Sequence, residues 1–305
     1  MSVKKVAVAG GAGALGTLIV QELTALGVEV VVLTRKKSNS LAISHSSNVV
    51  REVDYDSINN MSENLSDVDV VVSTLAGLKP SIVEAQGRLI QAASQAGVSK
   101  FIPSDFAIDF RNIPYGDNRN LNLRREFYEK YDSIKIKKTS VLNGAFTDML
   151  TGTAPFILFG LNRILCWGDP KQKMDWTTIA DTAHYTAYAA LDDQTPRFLK
   201  IAADQISAED LCHTMAELTG KPYRILKPAG LGAFRRLIQI TKFFVPGGQN
   251  VYPPWQGMQY MHNMYAGIAK FDAVDNTRYP VNFKSAKTVL ETYVSAVNQL
   301  NKLSG

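Results

Sequence analysis

The chain has 305 residues, 46% of them apolar and 20% charged, enough to bury a large core in one big α/β domain or in one domain plus a smaller lobe. Its net charge of +5 and pI near 9.0 come from scattered basic residues, with Lys135, Lys137 and Lys138 one of few tight groups, too little to argue for nucleic acid. Cys166 and Cys212 lie far apart without metal-ligand spacing, which fits a reduced, cytoplasmic setting and no zinc site, and no segment is long and apolar enough to span a membrane, so no membrane partner is expected.

Two lysines precede an apolar, alanine-rich run at the start, as in a signal peptide, but the glycines that follow explain the run better. Val6 to Ala9 reads as a short strand, and Leu18, Ile19, Leu23 and Leu26 recur at helical spacing. Gly27 is placed to stop that helix, and Val28 to Leu33 supplies a second buried strand, completing the first βαβ step of a doubly wound sheet. The turn between strand and helix holds two overlapping registers, Gly10-x-x-Gly13-x-x-Gly16 and Gly11-x-Gly13-x-x-Gly16. In either one, glycines permit the tight turn and let the backbone approach a pyrophosphate, while the helix start offers unpaired N–H groups to the anion. A purely structural turn could carry the same letters. The position after a strand and before a helix is what points to a dinucleotide.

The end of the second strand selects the cofactor. An NAD site wants an acidic residue about 20 positions after the glycines, and none occurs between Val30 and Val50. Thr34, Arg35, Lys36 and Lys37 stand there instead, a set suited to a 2′-phosphate, so the expected cofactor is NADP(H). Solvated loop charges are the alternative. A polar loop, Ser38 to Asn48, carries a solvated His45. Val49 to Tyr55 reads as the third strand, Ile58 to Leu65 as a short helix and Asp69 to Thr74 as the fourth strand. Leu75, Ala76 and Gly77 then let a cofactor come close, or form a plain connecting loop. Helix Ile82 to Ala96 stops at Gly97, and Lys100 to Pro103 delivers Ser104, Asp105 and Phe106 to the carboxyl edge of the sheet, where ligands bind in open α/β folds.

At this point the chain resembles the NmrA-like, isoflavone-reductase-like branch of the atypical short-chain dehydrogenases. The likeness rests on GGAGALG at Gly10 to Gly16, LTRK at Leu33 to Lys36, DVDVVVSTLAG at Asp67 to Gly77 and LIQAASQAGVSKFIPSDF at Leu89 to Phe106. It continues in LNGAF at Leu142 to Phe146, DWTTIADTAHYTAYAAL at Asp175 to Leu191 and DNTRYP at Asp275 to Pro280. The resemblance implies an NADP-binding Rossmann domain, a C-terminal lobe over a cleft, and hydride transfer to aromatic substrates as in the plant reductases of the group. It puts Gly10, Gly13, Leu15, Gly16 and Arg35 at the cofactor phosphates, Thr74 to Gly77 with Ser104 and Asp105 near the ribose and nicotinamide, and Asn143 and Phe146 beside the nicotinamide face.

The chain departs from the family at one position that matters. The reductases carry a catalytic lysine four residues before an Arg-Arg pair; here the pair is Arg124-Arg125 and the position is Asn120. An amide can hold a hydroxyl or carbonyl but does not titrate near neutral pH. Tyr131 and Lys135 match the Tyr-x-x-x-Lys spacing of ordinary short-chain dehydrogenases, but that pair needs a helix, whereas Ile134, Ile136 and Val141 read as the sixth strand starting. Between Asp117 and Glu129, Leu121, Leu123 and Phe127 face a core and Asn120, Arg124 and Tyr128 share the other face, either toward a cleft or toward solvent.

Beyond Phe146 the alternation loosens. Thr147 to Phe159 reads as a helix interrupted by Pro155, Ile164 to Gly168 as a strand, and Thr177 or Thr178 starts a helix to Leu191 in which His184 is structural. Phe198 to Ala202 is the seventh strand, and Ser207 with Asp210 opens a helix that buries Leu211, Met215 and Leu218, leaves His213 in solvent and stops at Gly220. Leu231 to Phe271 is rich in aromatics and methionine, including Phe243, Phe244, Tyr252, Trp255 and Tyr260, residues that fill cores or line pliable pockets. Pro246 to Pro254 brackets a possible lid, and an amphipathic helix from Ser285 to Leu300 closes the chain.

The expected architecture is therefore a doubly wound, mostly parallel Rossmann sheet over residues 1–150, rejoined by 177–204, with a smaller substrate lobe from 151–176 and 205–305. Three functions fit it. One is an NADPH-dependent reductase of a small planar acceptor, a quinone or aromatic enone, with Asn120, Tyr128 and Tyr115 as candidates around the reacting atoms. Another is a regulator of the NmrA kind that senses NADP(H) and docks a partner without turnover. A lysine-independent isomerase or dehydratase is a third, and either a monomer or a homodimer is consistent.

Overall fold

In the computed structural model, which describes residues 4–35 and 48–303, the N-terminal half winds around a parallel sheet. Strands β1 (Lys5–Ala9), β2 (Glu29–Thr34), β3 (Val49–Glu52), β4 (Val70–Ser73), β5 (Lys100–Ile102) and β6 (Lys137–Lys138) lie in the order β3-β2-β1-β4-β5-β6. All five neighbouring pairs are parallel. Val6, Ala7, Val8 and Ala9 are all fully buried, because both faces of such a sheet are covered and a continuous apolar run is what it requires. One face packs on α1 (Ala14–Ala25), through Ile19, Val20 and Leu23. The other packs on α2 (Ile58–Asn64) and α3 (Gln86–Gln95), through Met61, Leu89 and Ile90, with α3 preceded by a π-helical turn at Pro80–Ala85. Gly27 ends α1 with φ +74°, and its amide and that of Val28 donate back to Thr24 and Leu23, which satisfies the last carbonyls of the helix.

Helix α4 (Arg119–Tyr131) is capped by the Asn118 side chain, which accepts from the Leu121 amide at 3.2 Å. The sixth strand is shorter than its sequence suggests. Thr139 still donates to Phe101, but Ser140 donates to Arg197, so the chain changes partner and β7 (Ser140–Leu142) pairs with β12 (Phe198–Lys200) instead. Ile134 and Ile136 lie in the turn before it. Helix α4 ends at Tyr131, leaving Lys135 beyond it, so the Tyr-x-x-x-Lys letters share no helix face.

Strand β8 (Ala145–Phe146) leads into a segment that departs from its sequence pattern. Thr147 to Phe159 is no helix: a single 3₁₀ turn, Thr147–Thr151, stops at Gly152 with φ +104°, and Pro155 precedes the short strand β9 (Ile157–Leu158). A left-handed glycine and a proline within four positions leave no room for a continuing helix. Strand β10 (Arg163–Leu165) pairs with β9 and with β14 (Arg224–Leu226), and β11 (Met174–Thr177) lies between β8 and β13 (Asp204–Ile206). Helix α5 (Ile179–Leu191), capped by Thr178, returns to the parallel sheet, where Ala183, Ala187 and Ala190 share a core with Ile19, Val20 and Leu23. Its His184 stacks on Tyr188 with ring centroids 5.4 Å apart.

The remaining helices, α6 (Ala208–Thr219), α7 (Leu231–Phe244), α8 (Pro254–Tyr265) and α9 (Ala286–Leu303), enclose a second core around Phe156, Trp176, Leu211, Phe234 and Tyr265. The Ser207–Asp210 capping box forms as expected. Trp255, Met261 and Tyr265 are buried in this core, whereas Phe243, Phe244 and Tyr252 are neither core nor pocket lining but stand 80%, 74% and 67% exposed. Among the described residues no helix is long and apolar enough to cross a membrane.

Candidate active site

The turn after β1 is built from glycines that a larger residue would push apart. Gly10 has φ +79°, and a Cβ there would stand 2.9 Å from both the carbonyl oxygen and the hydroxyl of Thr74. Gly16 is tighter still: a Cβ would lie 2.3 Å from the Gly10 carbonyl and 2.9 Å from the Gly11 Cα. Gly13 is the N-cap of α1 and offers no side chain, and the first turn holds no acidic residue. The first amide to close a helical bond is that of Thr17, which donates to Gly13 at 2.8 Å. The amides of Ala14, Leu15 and Gly16 therefore stand at the helix start with no intrahelical partner, beside the positive end of the helix dipole.

Thr74 forms the facing wall, its amide and hydroxyl both donating to the Ala9 carbonyl at 2.8 and 2.9 Å. Beyond it Leu75 and Gly77 are half-buried and Ala76 is exposed. A Cβ on Gly77 would come within 2.6 Å of the Ser81 hydroxyl. At the end of β2, Thr34 is buried and Arg35 is exposed, while Lys36 and Lys37 lie outside the described residues.

At the carboxyl edge of β5 the side chains turn inward. The Ser104 amide donates to Gln86 Oε1 at 2.8 Å, and Gln86 is fully buried. Asp105 is 1% exposed; it accepts the Ser140 hydroxyl at 2.6 Å, and that hydroxyl in turn accepts from Arg197 at 2.8 Å. Burial pushes the Asp105 carboxyl above the usual carboxylate range, against the smaller opposing effects of Ser140, Arg124 and Arg197. Its carboxyl is thus a buried anchor between β5 and β7. Asn143 follows β7. It is fully buried, and neither atom of its amide has a partner among the described residues, which costs about 1–3 kcal/mol unless something else supplies one. Gly144, with φ +67°, lets this turn approach the Asp175 backbone, and Phe146 is half-buried at the edge of the core shared by the sheet and α5.

The polar stripe of α4 is covered rather than solvated, meeting the C-terminal lobe at Asn120 and the Arg197–Phe198 segment at Tyr128. Asn120 is 3% exposed; its Oδ1 accepts from Arg119 Nε and its Nδ2 donates to the Val251 carbonyl, both at 3.0 Å. Arg119 also donates to the carbonyls of Asn250 and Val251, and its guanidinium lies 4.8 Å from the centre of the Trp255 ring. The loop between α7 and α8 is therefore pinned to α4. Tyr128, two turns further, stacks on Phe198 at 5.8 Å with the Arg197 guanidinium 4.4 Å from its ring. Tyr115 is 62% exposed and lines a separate cavity of about 260 Å³ with Arg235 and His262, which none of the glycine-turn residues touches.

Arg119 and Gln86 were not singled out from the sequence. Gln86 carries a usable signal, an amide among the apolar positions of α3 at Leu89, Ile90 and Ala93, since a polar residue on a buried face needs a partner. Arg119 carries none, because its partners are backbone carbonyls some 130 residues away.

Residues 2–281 match the NmrA-like family. The chain belongs to that family. This NmrA-like protein is 28% identical over 257 residues to the oxidoreductase swnN of Metarhizium robertsii, covering 72% of this chain and 75% of the relative. It is 24% identical over 237 residues to bifunctional pinoresinol-lariciresinol reductase 2 of Thuja plicata, covering 71% and 76%. In three dimensions it aligns with AtPrR2 with NADP+ and (+)pinoresinol at a TM-score of 0.80, with 21% identity, over 96% of this chain and 99% of that one. The NmrA-like chain thus shares its α/β fold with that structure over 96% of its length.

Proposed function

We propose that the protein is an NADPH-dependent reductase that delivers hydride to a small, planar, apolar acceptor such as a quinone or an aromatic enone. The observation that carries this reading is the uncapped, glycine-walled start of α1, with Arg35 at the end of the next strand. Amides and a dipole suit a pyrophosphate, and a guanidinium suits a 2′-phosphate. The orphan amide of Asn143 is complementary to a carboxamide, one donor and one acceptor against another. Bound here, the nicotinamide would supply the hydride. Ala14, Leu15 and Gly16 would hold the pyrophosphate, Arg35 and Lys36 the 2′-phosphate, Thr74 to Gly77 the ribose, and Asn143 with Phe146 the nicotinamide face. The names of the two relatives, an oxidoreductase and a pinoresinol-lariciresinol reductase, support reductive chemistry.

Asn120 supplies no titratable proton, and its amide is engaged with Arg119 and Val251. The acceptor best suited to such a site takes hydride without strong protonation. A reduced quinone oxygen is stabilised by resonance and can take its proton from water, with Tyr128 as the side-chain candidate, since Tyr115 lines a separate cavity. In this reading residues 1–150 and 177–204 hold the cofactor and the remainder binds the acceptor, a division supported by the β7–β12 pairing and the packing of α5 on α1.

The engaged Asn120 favours a second reading, a regulator that binds NADP(H) and turns nothing over. Titration with NADPH and NADH, followed by cofactor consumption with a panel of quinones and aromatic enones, separates the two. Turnover with NADPH that is weak with NADH supports the reductase. Tight NADPH binding with every acceptor left unreduced would sink it and leave the regulator.

A further inference from the structure

Helix α7 carries apolar residues on two faces. Phe234 and Ile238 enter the lobe core, Phe234 stacked on Trp167 with centroids 4.2 Å apart. On the outside, Leu237, Ile240 and Phe244 recur along one row and are 40%, 55% and 74% exposed, with Phe243 beside them at 80%. Val245 and Tyr252, in the loop that follows, continue the surface. Isolated exposed apolar residues need no explanation, but a contiguous row ending in two phenylalanines does. The charge of the segment itself has one sign. No aspartate or glutamate occurs from Leu218 to Phe271, and α7 itself adds Arg235, Arg236 and Lys242. Arg235 reaches Asp117 at 2.5 Å and Lys242 sits 5.2 Å from the Trp255 ring centre, while Arg236 lies on the same helical row as Ile240 and Phe243.

We propose that this face docks on an anionic lipid surface, with α7 lying in the headgroup plane, Phe243 and Phe244 inserted among the acyl chains, and Arg236 and Lys242 at the lipid phosphates and carboxylates. Exposed aromatics flanked by cations, on a helix too short and too charged to span, are what an interfacial helix requires. A second copy is a poorer occupant. A two-fold contact would set Arg236 and Lys242 of one protomer near those of the other, with no acidic residue in the segment to balance them. The expectation of no membrane partner rested on the lack of a spanning segment, and peripheral docking needs no spanning helix. The inference stands independently of the reductase reading.

The test is co-sedimentation of the full chain with phosphatidylcholine vesicles, with and without phosphatidylserine, for the wild type, a Phe243→Glu/Phe244→Glu double variant and Arg236→Glu. Both sites are solvent-exposed, so the variants should melt and elute as the wild type does. We expect binding that requires phosphatidylserine, weakens with salt, and falls by roughly tenfold or more in each variant. Four results would overturn the proposal. The wild type stays in the supernatant with anionic vesicles, or the double variant binds as well as the wild type. Alternatively, the double variant turns a dimer into a monomer, or raises the KM for a water-soluble acceptor without lipid, which would assign the face to a second copy or to the acceptor.

Discussion

Replacing Gly16 by alanine tests whether the glycine turn is shaped for an anion or only for packing. The added Cβ would lie 2.3 Å from the Gly10 carbonyl and 2.7 Å from the Thr74 hydroxyl, where ordinary contact begins at 3.4 Å. The obstacle is backbone, so the start of α1 must withdraw by about 1 Å. Overpacking of this kind costs about 1–3 kcal/mol of stability. The same shift would take the amides of Leu15 and Gly16 out of hydrogen-bond range of a phosphate. A hydrogen bond to a charged group contributes about 1.5–3 kcal/mol, so NADPH affinity should fall by roughly 10- to 100-fold. Gly27→Ala at the other end of α1 is the control. It forces a left-handed residue, φ +74°, which Gly16→Ala does not, but meets nothing within 4 Å, so it should lose about 1–2 kcal/mol of stability and keep its NADPH affinity. Denaturant unfolding and NADPH titration of both variants decide the matter. A folded Gly16→Ala protein that binds NADPH like the wild type, or a Gly27→Ala protein equally impaired in binding, would refute the reasoning.

Arg35→Glu should raise the Kd for NADPH by roughly 10- to 100-fold, through loss of a charge-assisted contact, and leave NADH binding nearly unchanged; titration with both cofactors checks it. Asn120→Ala removes the bonds to Arg119 and Val251, so the α7–α8 loop should be cut faster by limited proteolysis and stability should fall by about 1–2 kcal/mol, with NADPH affinity retained. Lys100, 2% exposed, is held by burial at a pKa of about 8, below its usual 10.5, although it donates to the carbonyls of Ala189 and Asp192. The folded protein thus gives up this proton before the unfolded chain does. The cost of the buried ammonium is full below pH 8 and is relieved as the pH rises toward 10.5. The stability of the wild type minus that of Lys100→Met should rise across that window, on the order of 3 kcal/mol; a flat or falling difference would contradict the assignment.

The N-terminal half was legible because its signals are local. Apolar runs at β1, β2 and β4 and the stops at Gly27 and Gly97 fix elements without reference to the rest of the chain. The lobe was less so. Strands β11 and β13 are short, and β11 is wholly buried although its Met-Asp-Trp-Thr alternates apolar and polar, so its burial does not follow its letters. The exchange of strand partners at Thr139 depends on Arg197, which no local pattern reveals. The glycine cradle was readable for the same local reason, whereas the engagement of Asn120 was not: its partner is the backbone of Val251, and a carbonyl is present at every position. The inward-turned carboxyl of Asp105 likewise depends on Ser140 across the sheet.

The central claim, that this chain moves hydride from NADPH to an organic acceptor, is tested most directly by following the label. NADPH deuterated at the transferring position of its nicotinamide would be incubated with the protein and an aromatic enone, and the product examined by mass spectrometry. The account predicts deuterium on a carbon of the reduced enone, in amounts that match the NADPH consumed and that collapse in the Arg35→Glu variant. NADPH bound tightly with no labelled product from any acceptor tried would contradict it.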